Sequence, residues 1–340
     1  MVLSNASRRY SNLISLLNAV VVPPLIALIV SGSLVALLMR GRAASLALDL
    51  PNQRSLHSTP TPRLGGVGIV AGIAAAWVYT NPPFEPLLLA ALALLIGVSL
   101  LDDLKDVGVT WRLMIHVTSA VLAAMAVLRG ADWWVLTIAA LAIAWMINLY
   151  NFMDGADGIA GGMAVIGFGA YGAAALAGGD FLFAAVNLSI AAAALGFLLF
   201  NFPPARVFMG DVGAIPLGCL AAVLDLIGWE RGAWPWWFGI VIFSPFIADA
   251  SLTLAKRLLR GVKVWRAHRE HYYQRLIQSG WSHRKTAYAQ YALMLGCAAI
   301  AFAGMHQNAP VQAVVLGTVA VLYVALALVL EKYIARNAQA

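Results

Sequence analysis

Two carboxylates and two amides stand together between long apolar stretches, in the run Asn148-Leu-Tyr-Asn151-Phe-Met-Asp154-Gly-Ala-Asp157-Gly-Ile-Ala-Gly-Gly162. Such groups are costly in hydrocarbon, so a cluster at the end of a membrane helix must face water, a metal or a bound ligand. Asn148 and Asn151 share a helix face if the preceding helix runs that far, and the glycines that follow let the chain turn sharply. The expectation is a polar pocket at a membrane surface. Two more acidic motifs join it: Asp102-Asp103-Leu-Lys105-Asp106 and Phe208-Met-Gly210-Asp211-Val-Gly213. Several oxygen donors at one interface suit Mg2+, which keeps waters and substrate phosphates in its shell, or Mn2+ in its place. Transition metals other than Mn2+ are disfavoured, because no His or Cys stands at ligand spacing beside these acids.

Each motif has a plainer reading. Asp102 and Asp103 taken alone could be a solvated helix end beside Lys105, and Gly-Asp-x-Gly describes many turns. A third segment, with Arg260, Lys263, Arg266, His268, Arg269, His271 and Arg275, offers donors to a pyrophosphate; topology alone accounts for most of its charge. Asp249 precedes Lys256 by seven residues on one helix face, which suits an internal ion pair as well as catalysis. The stretch from Pro51 to Gly66, with Arg54, His57 and Arg63, combines helix breakers with basic residues. It is either a connector or an ordered loop that brings Arg63 near the site.

The elements that must position these groups follow from composition. In 340 residues, 62% are hydrophobic and 11% charged, with a mean hydropathy of +0.83, which is the composition of a polytopic membrane protein. Apolar runs suited to a bilayer occur near 19–39, 64–80, 86–101, 113–128, 133–150, 159–177, 181–200, 214–229, 234–254, 288–305 and 311–330. The fold class expected is therefore all-α, a bundle of about 11 transmembrane helices in one domain over 1–340, with its active site at the cytoplasmic face. The first run is read as a retained span, since it lacks a small-residue cleavage site. The Gly178-Gly179-Asp180 break between two runs is weak.

Loops on one side of this arrangement, including a basic loop at 255–287, together with the C-terminus carry 18 of the 22 Lys and Arg. That side and the C-terminus are expected in the cytoplasm. The other side has Trp133, Trp134, Trp229, Trp234, Trp236 and Trp237, read as an interfacial aromatic belt. A pI near 9.6 is explained by this topology without a nucleic acid partner. Cys219 and Cys297 lie in apolar runs and are read as packing residues.

Taken in order, the motifs resemble those of the polyprenyl-phosphate N-acetylhexosamine-1-phosphate transferases, glycosyltransferase family 4. The matching pieces are Pro62-Arg63-x-Gly65-Gly66, the acidic pair Asp102-Asp103 followed by Lys105, Asn148-x-x-Asn151-x-x-Asp154-Gly-x-Asp157-Gly, Asn201-x-Pro-Pro-Ala-x-Val-Phe-Met-Gly210-Asp211-x-Gly213, and Ala-His268-x-x-His271. The resemblance implies attack by undecaprenyl phosphate on the β-phosphorus of a UDP-N-acetylhexosamine, releasing UMP. It implies Mg2+ on Asn151 and Asp211. Asp102, Asp103 and Lys105 would be catalytic beside the lipid phosphate. Arg63, Asn148, Asp154, Asp157 and Asn201 would bind substrate, while His268, Arg269 and His271 would grip the pyrophosphate or sugar. Ala214 stands where the family commonly has Ser, and the loop has fewer His than the cell-wall translocase branch. Both features are closer to the branch that starts O-antigen and common-antigen synthesis, with GlcNAc, QuiNAc or FucNAc as the sugar. A homodimer is compatible with this reading.

Other classes explain less. Asp102-Asp103-x-x-Asp106 fits intramembrane aromatic prenyltransferases but leaves Gly210-Asp211 unused. Asp154-Gly-Ala-Asp157-Gly resembles the motif of the CDP-alcohol phosphotransferases, but the Ala-Arg and downstream paired Asp of that pattern are absent. An ion-coupled transporter would place its acids nearer the midplane.

Overall fold

Backbone polar groups in a bilayer must be satisfied within their own segment, so the apolar runs close their hydrogen bonds as helices. The computed structural model describes residues 2–40, 47–51, 56, 59–105, 107–263 and 268–337, with side chains from residue 18 onward. Arg42, Arg54, His57, Asp106 and Arg266 lie outside the described residues. Helix α1 (Val2–Leu38) is followed by a two-stranded antiparallel ribbon, β1 (Leu48–Asp49) with β2 (Thr61–Pro62). Then come α2 (Gly65–Thr80), α3 (Pro86–Lys105), α4 (Val109–Val127), α5 (Trp133–Phe152), α6 (Ile159–Ala177), α7 (Phe181–Asn201) and α8 (Asp211–Glu230). The chain ends with α9 (Phe238–Ile242), α10 (Ser244–Leu259), α11 (Tyr272–Gln278), α12 (His283–Gly304) and α13 (Ala309–Asn337).

Nine of these helices are long and apolar enough to cross a membrane among the described residues. With the 16-residue α2 and the α9–α10 pair, each of the eleven apolar runs has a helical counterpart. Helices α6, α7 and α8 form the centre, with 72% of an 18-residue apolar stretch in each buried, against 6% for α13. Ser31 ties α1 to α7 by donating to the Ala193 carbonyl at 2.7 Å. The break at Gly178-Gly179-Asp180 is real: Asp180 caps α7, its carboxylate accepting from Phe183 N at 3.0 Å.

Four expectations need correction. The run 234–254 is not one helix. Phe243 separates α9 from α10, and Pro245, which has no N–H to give, opens the first turn of α10. The basic segment 255–287 is not one loop, since α10 continues to Leu259, α11 forms within it and α12 starts at His283. In the Trp belt, Trp133, Trp134, Trp229 and Trp236 are exposed, whereas Trp234 and Trp237 are buried. Trp234 donates to Asp225 at 3.0 Å and Trp237 to Gln312 at 3.0 Å, because a buried indole N–H needs an acceptor. Asp249 does not pair with Lys256, which pairs instead with Glu331 on α13 at 2.6 Å.

Candidate active site

The frame of the site is backbone. Helix α5 ends at Phe152, the loop 153–158 follows, and α6 starts beyond Gly158. That loop is fixed by its neighbours: Gly158 N donates to Asn201 Oδ1 at 2.9 Å, and Tyr291 OH donates to the Gly158 carbonyl at 2.7 Å. Asn201 Nδ2 donates in turn to the Val207 carbonyl at 2.9 Å. Both ends of this buried amide are therefore occupied in joining the loops that follow α5 and α7.

The second loop is stitched to the strand before α2. Phe208 N donates to Pro62 O at 2.7 Å, Gly65 N to Phe208 O at 2.9 Å and Gly66 N to Met209 O at 2.8 Å. A side chain at Gly66 would place its Cβ 2.3 Å from Gly213 N, so only glycine allows this approach. Gly210 has φ +73°, and a Cβ there would lie 2.4 Å from Arg63 O and 2.7 Å from Asp103 Oδ2. The two glycine motifs therefore meet each other.

Around this frame the acids divide by partner. Asp103 is 2% exposed, and its carboxylate accepts from Asp211 N at 3.1 Å and Val212 N at 3.0 Å, capping the N-terminus of α8. Arg63 Nη2 donates to the Asp103 carbonyl at 2.9 Å. Asp102 accepts from Val107 N at 2.7 Å and from Arg112 at 2.7 Å, and Arg112 also reaches Asp211 at 2.8 Å. Asp157 accepts from Ala205 N at 3.0 Å and faces His283 Nδ1 at 3.1 Å. Burial alone would raise its carboxyl, but the His283 and Ala205 hydrogen bonds outweigh burial and hold it below the ordinary value. Asp154 is different. No hydrogen bond or ion pair reaches its carboxylate among the described residues, and burial, then the charges of Asp211, Asp103 and Asp157, push its carboxyl well above the usual range.

These residues open onto one cavity of about 340 Å3, lined by Arg63, Asp103, Asn151, Asp154, Asp157, Asn201, Asp211 and His268. Of the residues singled out in the sequence, five do not line it. Asp102 sits behind Asp211 on Arg112. Lys105 is exposed at the end of α3. Asn148 points back into the bundle, donating to Ala144 O at 2.7 Å and lying 3.2 Å from His116 Nδ1. Arg269 faces a different cleft. His271 is buried between the rings of Phe152 and Tyr273, with Nδ1 3.4 Å from Asp249. Asp249 accepts from Tyr272 N at 2.8 Å and Tyr273 N at 3.1 Å, so it caps α11. His268 does line the cavity; burial first, then His271, Arg257 and Arg260, pull its imidazole down to about 4.

Sequence reasoning missed Asp49, Tyr273, Gln274 and His283 in the lining, and Arg112 as the bridge between two acids. Nothing local marks His283 as the partner of Asp157. Arg112 carries a faint signal, a cation at the start of the helix after an acidic pair.

Among the described residues no three Asp, Glu, His or Cys side chains converge as a metal cage. An unpartnered Asp154 carboxylate beside Asn151 and Asp211 instead suits a hard cation that takes one or two protein oxygens and fills its shell with water and phosphate.

Residues 86–228 match the sequence profile described as glycosyl transferase family 4. The chain is 29% identical over 266 residues to a Bacillus subtilis protein named probable undecaprenyl-phosphate N-acetylglucosaminyl 1-phosphate transferase, covering 73% of this chain and 74% of that one. It is 28% identical to the decaprenyl-phosphate N-acetylglucosaminephosphotransferase of Mycobacterium tuberculosis, covering 82% and 81%. It is 30% identical over 258 residues to the phospho-N-acetylmuramoyl-pentapeptide-transferase of Geobacillus thermodenitrificans, covering 65% of this chain and 76% of the relative.

Proposed function

Because this chain belongs to glycosyl transferase family 4, the polyprenyl-phosphate sugar-1-phosphate transferases, we propose that it moves an N-acetylhexosamine-1-phosphate from a UDP-sugar to undecaprenyl phosphate. The reaction forms a bond between a lipid-phosphate oxygen and the β-phosphorus. It breaks the bond from that phosphorus to the bridging oxygen, which leaves with UMP. One observation carries this reading. Four segments far apart in sequence bring Arg63, Asp103, Asn151 with Asp154, and Asp211 to a single cavity at one end of a membrane bundle.

Both substrates are anionic, so their approach depends on charge compensation and positioning. Arg63 and His268, which line the cavity, would meet the diphosphate. Asn151, Asp154 and Asp211 would hold Mg2+, which when bound supplies charge neutralisation on the pyrophosphate. Asp103 would act by fixing the α8 N-terminus and so the aim of Asp211. A phosphate monoester with second pKa of about 6 is already largely ionised at neutral pH, so no side chain has to remove a proton from the attacking group. Both oxygens of Asp102 are engaged by Val107 N and Arg112, which disfavours the prenyltransferase reading.

The face carrying the cavity would be cytoplasmic, where UDP-sugars are made, and the membrane the bacterial inner membrane. N-acetylglucosamine is the first donor to test, since relatives carry it in their names. O-antigen or another cell-envelope polysaccharide would be the destination. The test incubates purified protein with undecaprenyl phosphate and a panel of UDP-N-acetylhexosamines, with Mg2+ or EDTA, and follows UMP. Mg2+-dependent release with one donor supports the proposal. Absence of release with every donor, with pyrophosphate released from allylic diphosphates, contradicts it.

A further inference from the structure

A second cleft, of about 660 Å3, lies on the other side of α11 from the catalytic cavity. Its charged lining is four cations, Lys256, Arg260, Arg269 and Arg275, and two carboxylates, Glu270 and Glu331. The two cavities share no lining residue. Helix α11 is the wall between them: Tyr273 and Gln274 line the catalytic side, and Tyr272 and Arg275 line the other.

The cleft is built rather than a loose surface patch. Arg275 grips Glu331 with two bonds at 2.8 Å, and Lys256 reaches the same carboxylate at 2.6 Å. Lys256 and Arg275 also sit over the Tyr272 ring, 4.9 Å and 5.5 Å from its centroid. Glu270 is shared by Arg260 and the buried Arg257. Cations therefore outnumber the acids that hold them, and the lining keeps a positive excess.

Depth decides what that charge meets. Leu259 lines the cleft and is 87% exposed, its neighbour Leu258 is 68% exposed, and Leu328 and Val329 on α13 stand exposed nearby in sequence to Glu331. Apolar side chains uncovered by protein at a helix end belong against acyl chains, while cations beside them belong at headgroup level. Basic pockets between helices at that level take anionic headgroups. We propose that this cleft binds the phosphodiester headgroup of an anionic phospholipid of the phosphatidylglycerol type, with its acyl chains against Leu258, Leu259 and α13. A headgroup on Arg275 and Tyr272 also braces α11, whose opposite face lines the catalytic cavity.

The test titrates the full-length protein in detergent with short-chain phosphatidylglycerol, short-chain phosphatidylcholine or inorganic phosphate, reading the thermal midpoint and bound lipid by native mass spectrometry. Phosphatidylglycerol is expected to bind and raise the midpoint, phosphatidylcholine and phosphate to do neither. Arg260→Gln, at an exposed side chain, should weaken phosphatidylglycerol about five-fold, and Arg260→Lys should restore most of that. Equal binding of both lipids, or unchanged affinity in Arg260→Gln and in Arg275→Gln, overturns the site. An equal shift with inorganic phosphate assigns the cleft to a soluble anion and overturns the lipid. Displacement of the bound lipid by undecaprenyl phosphate makes the cleft part of the acceptor site and overturns its independence.

Discussion

The carboxylate of Asp103 receives the backbone N–H groups of Asp211 and Val212 at 3.1 Å and 3.0 Å. An acidic motif at the end of α3 thus sets where α8 begins, and with it the direction of a second acidic motif more than a hundred residues away. Asp103→Ala should lose about 2 kcal/mol of stability, the scale for hydrogen bonds to a charged group, together with activity. Asp103→Asn keeps an acceptor for one N–H and opposes the other, so it should fall between. Thermal unfolding in detergent beside turnover checks the order; an Asp103→Ala variant with wild-type stability contradicts the capping role.

Asp154 separates chemistry from folding, because among the described residues no hydrogen bond or ion pair holds its carboxylate. Asp154→Asn should leave stability in EDTA unchanged or improved while reducing turnover by at least about 100-fold, the scale for removing one electrostatic partner of a transition state.

The same residue predicts a metal effect on stability. The contribution to stability of a carboxyl raised by burial and like charge is fully present below its unfolded value of about 3.9 and is lost as pH rises through the folded value. At neutral pH the charged form is therefore a strain that a divalent cation relieves. Added Mg2+ should raise the unfolding midpoint by mass action, more at neutral than at acidic pH, and the rise should vanish in Asp154→Asn. A rise that persists in the variant moves the ion elsewhere.

Arg112 touches both Asp102 and Asp211 without lining the cavity. Arg112→Met would leave two largely buried acids uncompensated, which costs about 3 kcal/mol, and should disable Asp211 as well. Arg112→Lys can bridge only one of them well. Wild-type midpoints in both variants would show the bridge to be idle.

Asp157 gives the acid limb. With its carboxyl held low, its contribution to stability is present above the unfolded value of about 3.9 and lost as pH falls through the folded one. Stability of the wild type should therefore drop more steeply below about pH 4 than that of Asp157→Asn, measured as midpoint against pH. Parallel curves would mean that the His283 pairing contributes nothing.

Much of the architecture was legible in sequence because long apolar runs have one solution in lipid, and the glycine and acid motifs fall at their ends. What was not legible is how polar groups pair across the fold. Asp249 reads as a partner for Lys256 on its own helix face, yet it caps α11 twenty-three residues on. His271 and Asn148 carry chemistry by type but are turned into the bundle, where ring packing and local hydrogen bonds satisfy them. Trp234 looks like a belt residue until the half-buried Asp225 gives its N–H an acceptor. Such pairings are decided by tertiary proximity, which spacing along the chain does not encode.

The central claim is transfer of sugar and phosphate together to a polyprenyl phosphate, and labelling the donor tests it most directly. UDP-N-acetylglucosamine carrying 32P in its β-phosphate is incubated with undecaprenyl phosphate, Mg2+ and the purified protein, and the phases are separated. Label in the lipid phase, with unlabelled UMP in the water, is the predicted result. Label in the aqueous phase as UDP, with sugar alone on the lipid, would contradict the account.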